Sequence, residues 1–156
     1  MTQPRIIRAA AVQIAPDLQD PAQTIQRVCQ TMEEAAAKGV QIIVFPETFV
    51  PYYPYFSFVS PPVQQGKDHL RLYDYAVTVP GAETEAISAL AAQYNMVVVL
   101  GVNERDHGSL YNAQIIFDGN GEIRLKRRKI TPTYHERMVW GQGDASGLKV
   151  VKTSAG

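Results

Sequence analysis

A short, almost unbroken apolar run at residues 40–45, VQIIVF, constrains the fold of this chain more than any other feature. Gly39 precedes the run and Pro46 ends it, and the composition is typical of a strand that is buried on both faces of a sheet. Residues 21–38 come directly before it and carry apolar side chains at helical spacing, with Gly39 as the C-terminal stop. A helix followed by a buried strand favours a layered α/β fold.

The rest of the chain continues the alternation of strands and helices. A hairpin is predicted where the turn Asp-Gly-Asn-Gly, which tolerates positive φ, separates two runs of strand composition. With no internal repeat and no low-complexity linker, residues 1–156 indicate one domain. The predicted elements besides those above are strands at 6–14, 96–102, 110–118, 122–129 and 148–153, helices at 68–76 and 83–94, and loops at 48–67 and 130–147.

Composition excludes several classes of function. The chain has 15 basic and 15 acidic residues and no formal net charge, so it has no long-range field to attract nucleic acid or an anionic membrane. No apolar run approaches the roughly 20 residues that span a bilayer. A single cysteine excludes an internal disulfide framework, and the three histidines lack the spacing of metal ligands. We therefore expect a cytoplasmic α/β protein with no nucleic-acid, membrane or metal partner.

The first candidate for a catalytic group is Glu47, in the segment VFPETF. It comes immediately after the buried strand, and open α/β sheets place their ligand sites at that end of a strand. Partial desolvation there raises the pKa of a carboxylate and suits it to accept and return a proton. The alternative interpretation is an ordinary polar residue at the end of a strand.

The second candidate is the basic segment LKRRKITPTYHERMVWGQGD, at residues 125–144. Side chains alternate along a strand, so Lys126 and Arg128 face opposite to Arg127 and Lys129, and one pair can turn a cation inward. Glu136 follows Lys129 by seven residues. Two glutamates and a lysine would form a charge-balanced set in which the lysine stabilises developing negative charge. The alternatives are a solvated basic edge and, less favoured by the neutral overall charge, a nucleic-acid patch.

The third candidate is the aromatic segment PYYPYFSF at residues 51–58, with five aromatic side chains in eight residues. Such a segment can form a satellite core under a long loop. It can equally line a rigid apolar pocket, and the sequence favours neither interpretation over the other.

Taken together and in this order, three segments resemble the nitrilase branch of the carbon–nitrogen hydrolase superfamily, and its aliphatic-type nitrilases in particular. They are IIVFPETFVPYYPYFSF, MVVVLGVNERDHGSLYNAQIIFDGNGEI and the basic segment. The resemblance implies a four-layer α-β-β-α sandwich, of which residues 1–156 would be the N-terminal half. It also implies conversion of a small-molecule nitrile to a carboxylic acid and ammonia, with no metal or organic cofactor, by a homo-oligomer that extends from dimers to spirals.

The resemblance also assigns roles to individual residues. Glu47 would be the general base, Lys129 the catalytic lysine and Glu136 the supporting glutamate. Three further residues are expected around the substrate, two as pocket walls and one as a neighbour of the site: Tyr53, Trp140 and His135.

The family's nucleophilic cysteine belongs to a motif downstream of the basic segment and is absent from these residues. The one cysteine, Cys29 in VCQTM, matches no family nucleophile and is interpreted as a small buried thiol. We therefore expect the chain alone to be inactive. The alternatives are a ligand-binding remnant without catalysis and a related amidase.

Overall fold

A five-stranded sheet forms the centre of the computed structural model, which describes residues 5–156. Its strands lie side by side in chain order, with the first three parallel and the last three antiparallel. This arrangement confirms the α/β class. The strands are β1 (Ala9–Ala11), β2 (Ile42–Val44), β3 (Val97–Asp106), β4 (Ser109–Phe117) and β5 (Ile123–Arg128).

Three of the four α-helices agree in position with the predicted helices at 21–38, 68–76 and 83–94. The side chain of Asp20 accepts a hydrogen bond from the amide of Ala22, and Pro21 occupies the first turn, so the first helix has both signals of an N-terminus. Short 3-10 helices lie at Pro62–Gln64, Tyr134–Met138 and Ala145–Gly147. The α-helices are α1 (Pro21–Ala37), α2 (Phe56–Val59), α3 (Gly66–Tyr75) and α4 (Ala82–Tyr94).

One face of the sheet packs against α1 and α4. Met32 of α1 and Ile87 of α4 are fully buried against alternate residues of the strands. The apolar positions of each strand recur every second residue, as a sheet with one covered face requires. The strand residues of this core include Ile43, Val98, Leu100, Val102, Ala113, Ile115 and Phe117.

The opposite face of the sheet is only partly covered within the described residues. Val44 is 39% exposed and Gln114 is also exposed. The prediction that β2 is buried on both faces is therefore wrong for this part of the chain, because α1 and α4 both pack on the face that carries Ile43. Nowhere in residues 5–156 is there a helix long and apolar enough to cross a membrane.

Several predicted boundaries differ from the structure. The strand at 6–14 shortens to β1, and residues 148–153 form no strand. A hairpin between β3 and β4 was missed, because β3 continues through the polar residues Asn103, Glu104 and Arg105 before the turn at 107–108. The predicted loop at 48–67 contains α2, and the one at 130–147 contains two of the 3-10 helices.

The basic residues of β5 are divided between the two faces of the sheet, as strand alternation predicts. The side chain of Glu104 is 2% exposed and accepts hydrogen bonds from Lys126 Nζ at 2.5 Å and from Arg128 Nε at 2.7 Å. Arg128 also bonds Asp106 Oδ2 at 2.7 Å and lies 3.8 Å from the centre of the Tyr111 ring. The interpretation of these two cations as a solvated edge is wrong, because both are held by a buried carboxylate.

The Glu104→Gln variant is expected to lower the free energy of unfolding of the purified protein by about 3 kcal/mol, because it leaves two cations without their buried counter-ion. Burial raises the pKa of Glu104, but hydrogen bonds from Arg128 and Lys126 outweigh it and the pKa is lowered. The difference between wild type and variant should therefore be present at neutral pH and disappear as the pH falls through that lowered pKa.

Urea denaturation at several pH values measures this difference. The matched control is Glu122→Gln, since the carboxylate of Glu122 forms an exposed ion pair with Arg124. The control should change the unfolding free energy by no more than about 0.5 kcal/mol. Equal effects of the two variants would show that the Glu104 cluster does not stabilise the sheet.

Candidate active site

Glu47 lies directly after β2, where the chain passes close against β3. The amide of Phe45 donates to the carbonyl of Val99 at 2.8 Å, and the chain turns at Thr48, which has a φ of 43°. A Cβ atom on Gly101 would overlap the backbone of Pro46 and Thr48, so only glycine allows this approach. The backbone on either side of Glu47 is therefore fixed against the sheet.

Lys129 follows β5 and bridges two carboxylates. Its Nζ lies 2.9 Å from Oε1 of Glu47 and 2.8 Å from Oε2 of Glu136. The Glu136 side chain belongs to the 3-10 helix Tyr134–Met138 and is 4% exposed, whereas that of Glu47 is 50% exposed. The fold thus brings together the three charged residues singled out in the sequence. The expected desolvation of Glu47 is wrong for the described chain, because half of its side chain is open to solvent.

Glu136 is held by donors on three sides. Besides Lys129, the hydroxyl of Tyr53 donates to Oε1 at 2.6 Å and the amide of Thr133 donates to Oε2 at 2.5 Å. Burial raises the pKa of Glu136, but these three hydrogen bonds lower it further than burial raises it. The three donors therefore favour the ionised form of Glu136, which lies opposite the ammonium of Lys129.

The same contacts keep Lys129 and Tyr53 protonated. Burial lowers the pKa of Lys129, but its hydrogen bonds to Glu136 and Glu47 outweigh burial, and the pKa is raised. Burial and the hydrogen bond to Glu136 both raise the pKa of Tyr53. Lys129 is thus a fixed ammonium donor beside Glu47, which is the arrangement that stabilises a developing negative charge.

An open apolar cavity of about 870 Å³ lies beside Glu47. The aromatic segment at 51–58 contributes both to the wall of this cavity and to a second core cluster. Tyr53, Tyr55 and Phe58 line the cavity, whereas Phe56 packs against a second core cluster near the turn between β3 and β4. That cluster consists of Tyr52, Leu72, Ala76, Leu110 and Trp140, and Tyr52 also reaches the cavity.

Trp140 and His135 lie behind the cavity wall. Trp140 is 3% exposed, and its ring meets that of Tyr53 edge-on with centroids 5.6 Å apart. His135 contacts Phe58 in the same manner at 5.1 Å. Each supports an aromatic residue that lines the cavity, and a direct contact of either with substrate stays a prediction.

Two asparagines in the site were missed by sequence reasoning. Asn112 on β4 donates to Oε1 of Glu47 at 2.6 Å. Asn103, directly opposite on β3, donates to the carbonyl of Tyr52 at 2.8 Å and accepts from the indole nitrogen of Trp140 at 2.8 Å. Both are buried amides. Asn112 interrupts the apolar pattern of β4, and that interruption was the available signal, because a buried amide requires hydrogen-bond partners. Asn103 begins the polar end of β3, which carries no such signal.

Cys29 lies on α1 and packs, partly buried, against the core between helices and sheet. Ala113 of β4 points into that core, and its neighbour Asn112 therefore points to the opposite face of the sheet. Glu47, which is hydrogen-bonded to Asn112, thus lies on the other side of the sheet from α1. Burial raises the pKa of the Cys29 thiol, which keeps it protonated. Within residues 5–156 no group of three or more His, Cys, Asp or Glu side chains is placed to hold a metal ion.

Two carboxylates therefore share one ammonium at the end of an α/β sheet, beside an apolar cavity. Residues 8–156 match the family model for carbon–nitrogen hydrolases, and the chain belongs to that family.

The relatives agree with this assignment. The chain is 69% identical to a nitrilase of Paraburkholderia phymatum over 98% of its own length and 45% of the relative's, and 36% identical to an aliphatic nitrilase of Rhodococcus rhodochrous over 92% and 39%. A Saccharomyces cerevisiae member of branch 10 of the nitrilase superfamily matches 96% of this chain and 52% of its own, with a TM-score of 0.73 and 25% identity. The chain spans about half the length of the curated relatives it matches.

Proposed function

We propose that this chain is the N-terminal portion of a nitrilase, which converts an organic nitrile and water to a carboxylic acid and ammonia. The observation that carries the proposal is the position of Lys129 Nζ, 2.9 Å from Glu47 and 2.8 Å from Glu136, beside the apolar cavity. The 69% identity to a nitrilase supports nitriles as the substrate class.

The first half of the proposed reaction forms a covalent intermediate. A cysteine thiol transfers its proton to Glu47, and the thiolate sulfur bonds to the nitrile carbon. The nitrile nitrogen takes that proton back from Glu47, which gives a thioimidate. Lys129, held as a cation by two carboxylates, stabilises the negative charge that develops on the substrate.

The second half consumes two water molecules. As the oxygen of the first water bonds to the thioimidate carbon, Glu47 accepts one proton of that water and passes it to the nitrogen, which becomes an amine on a tetrahedral carbon. The proton of the remaining hydroxyl then passes through Glu47 to the same nitrogen, the C–N bond breaks, ammonia leaves and the carbonyl of a thioester forms. The remaining thioester is attacked by the second water, whose proton passes through Glu47 to the departing sulfur. The acid is released and every protein group returns to its starting state.

The nucleophile of this scheme has to come from outside these 156 residues. Cys29 is the only cysteine of the chain, and it lies on the opposite side of the sheet from Glu47. We propose that the chain alone is inactive and that the longer protein supplies the cysteine next to Lys129. Assembly as a homo-oligomer and a cytoplasmic location stay predictions.

The test is ammonia release by the full-length protein that contains this chain. We would compare an aliphatic nitrile, an aliphatic dinitrile and an aromatic nitrile with the corresponding amides, and assay residues 1–156 alone in parallel. Turnover of a nitrile by the full-length protein, and none by the isolated chain, is the expected result. Turnover of amides but not of nitriles would contradict the proposal and identify the protein as an amidase. Binding of either compound without turnover would indicate a non-catalytic protein.

A further inference from the structure

The amide of Asn112 is the closest neighbour of Glu47 that the proposed reaction does not use. We propose that Asn112 is a positioning residue, which holds Oε1 of Glu47 so that Oε2 is the oxygen that exchanges protons with the nucleophile and the substrate. The kinetic consequences of this proposal rest on the proposed function, whereas the hydrogen bonds of Asn112 to Glu47 and Lys129 do not depend on the substrate.

Oε1 of Glu47 is fully engaged. It accepts from Asn112 Nδ2 at 2.6 Å and from Lys129 Nζ at 2.9 Å, whereas Oε2 receives no hydrogen bond from any of residues 5–156. Only the NH₂ group of an asparagine can donate to a carboxylate, so the orientation of the amide is fixed by its partner. A proton is therefore accepted at Oε2, which has free lone pairs.

Asn112 also sets the distance between the two groups that it contacts. The backbone carbonyl of Asn112 accepts a hydrogen bond from the backbone amide of Lys129 at 2.7 Å, and the side-chain amide of Asn112 donates one to Glu47. Asn112 is 6% exposed and stands within β4, opposite Asn103. One rigid strand residue thus fixes the backbone of the lysine and the side chain of the glutamate together, which a substrate-positioning site requires.

Several charged or titratable side chains surround Glu47 besides the amide of Asn112. Lys129 is the cation in direct contact, and Glu136 lies behind it. Arg127 lines a second, smaller cavity together with Glu47 and Lys129. Among the titratable residues that line the apolar cavity with Glu47 are Tyr52, Tyr53 and Tyr55, and the hydroxyl of Tyr53 is bonded to Glu136. With one donor removed from Oε1, the ionised form of Glu47 is less favoured, because Lys129 alone then bonds that oxygen.

The kinetic test compares Asn112→Ala and Asn112→Asp in the full-length protein. For alanine we expect kcat to fall about 10-fold with KM within about twofold, and the acidic limb of the pH profile to move up by about one unit. For aspartate, which keeps the shape but sets a second carboxylate against Oε1, the limb should move up by about two units or more. The matched control is Asn120→Asp in the turn between β4 and β5, which keeps the side-chain acceptor bonded to the amide of Glu122 and should leave the profile unchanged.

A second measurement follows Glu47 without any substrate. The carboxyl ¹³C resonance of Glu47, assigned by its loss in Glu47→Gln, is titrated in the wild type and in Asn112→Ala. We expect a higher pKa in the variant. An acidic limb and a Glu47 titration that both stay at the wild-type pH, in a variant that unfolds at the wild-type temperature, would overturn the proposal. If the wild type turns over no nitrile or amide, the proposed function fails, and the titration alone decides the role of Asn112.

Discussion

Lys129→Ala is expected to lower kcat/KM for nitrile hydrolysis by about 10³-fold or more in the full-length protein. The ammonium is the only cation within 2.9 Å of Glu47 among the described residues, so its removal takes away the stabilisation of developing negative charge. Folding should survive, because Glu136 keeps its hydrogen bonds from Tyr53 and Thr133 after the lysine is lost. Steady-state kinetics and thermal unfolding of the same samples measure both effects.

The matched control for this variant is Lys38→Ala, since the Lys38 side chain is exposed at the end of α1. It should retain wild-type kinetics. A Lys129→Ala protein that hydrolyses nitriles within about fivefold of the wild-type rate would remove Lys129 from the mechanism, because one removed oxyanion-stabilising donor already costs about 10²-fold or more.

Glu47→Gln should reduce turnover by about 10³-fold, because it keeps the size and shape of the side chain and removes the proton acceptor. The glutamine oxygen can still accept from Asn112 and Lys129, so the site should keep its geometry. The thiol of the nucleophile would then remain protonated, and no covalent intermediate should form. Mass spectrometry of the protein after incubation with a slow nitrile substrate detects that intermediate directly.

Glu33→Gln provides the same chemical change at an exposed position of α1 and should be neutral. Accumulation of a thioimidate or acyl adduct in Glu47→Gln at the wild-type rate would show that another group accepts the thiol proton. Glu47 would then have a structural role only.

The layers and the charged residues of the site were predictable from local patterns. The apolar run at 40–45 and the helical spacing at 21–38 predicted β2 and α1, since burial of one stripe or one face is encoded in the period of the sequence. The resemblance singled out Glu47, Lys129 and Glu136 because their motifs are contiguous in sequence. The structure brings all three into contact.

What failed was the prediction of elements whose pattern is polar. The end of β3 reads Asn-Glu-Arg-Asp, and no hydrophobic alternation marks it. Its strand structure depends on pairing with β4 and on the ion pairs between Glu104 and the cations of β5, which are distant in sequence. A strand held by cross-strand charges has no local signature.

The sequence by itself determined the α/β class, the positions of α1, β2 and α4, the neutral charge and the identity of the three charged residues of the candidate site. Only the tertiary structure decided which oxygen of Glu47 accepts the hydrogen bonds of Asn112 and Lys129, that Asn112 joins these two residues, that Trp140 supports Tyr53, and that Cys29 lies across the sheet. The reason is physical. Periodicity records which face of an element is buried, whereas hydrogen bonds between strands and loops depend on register and on packing between residues distant in sequence. Tyr53 and Glu136, for example, are 83 positions apart.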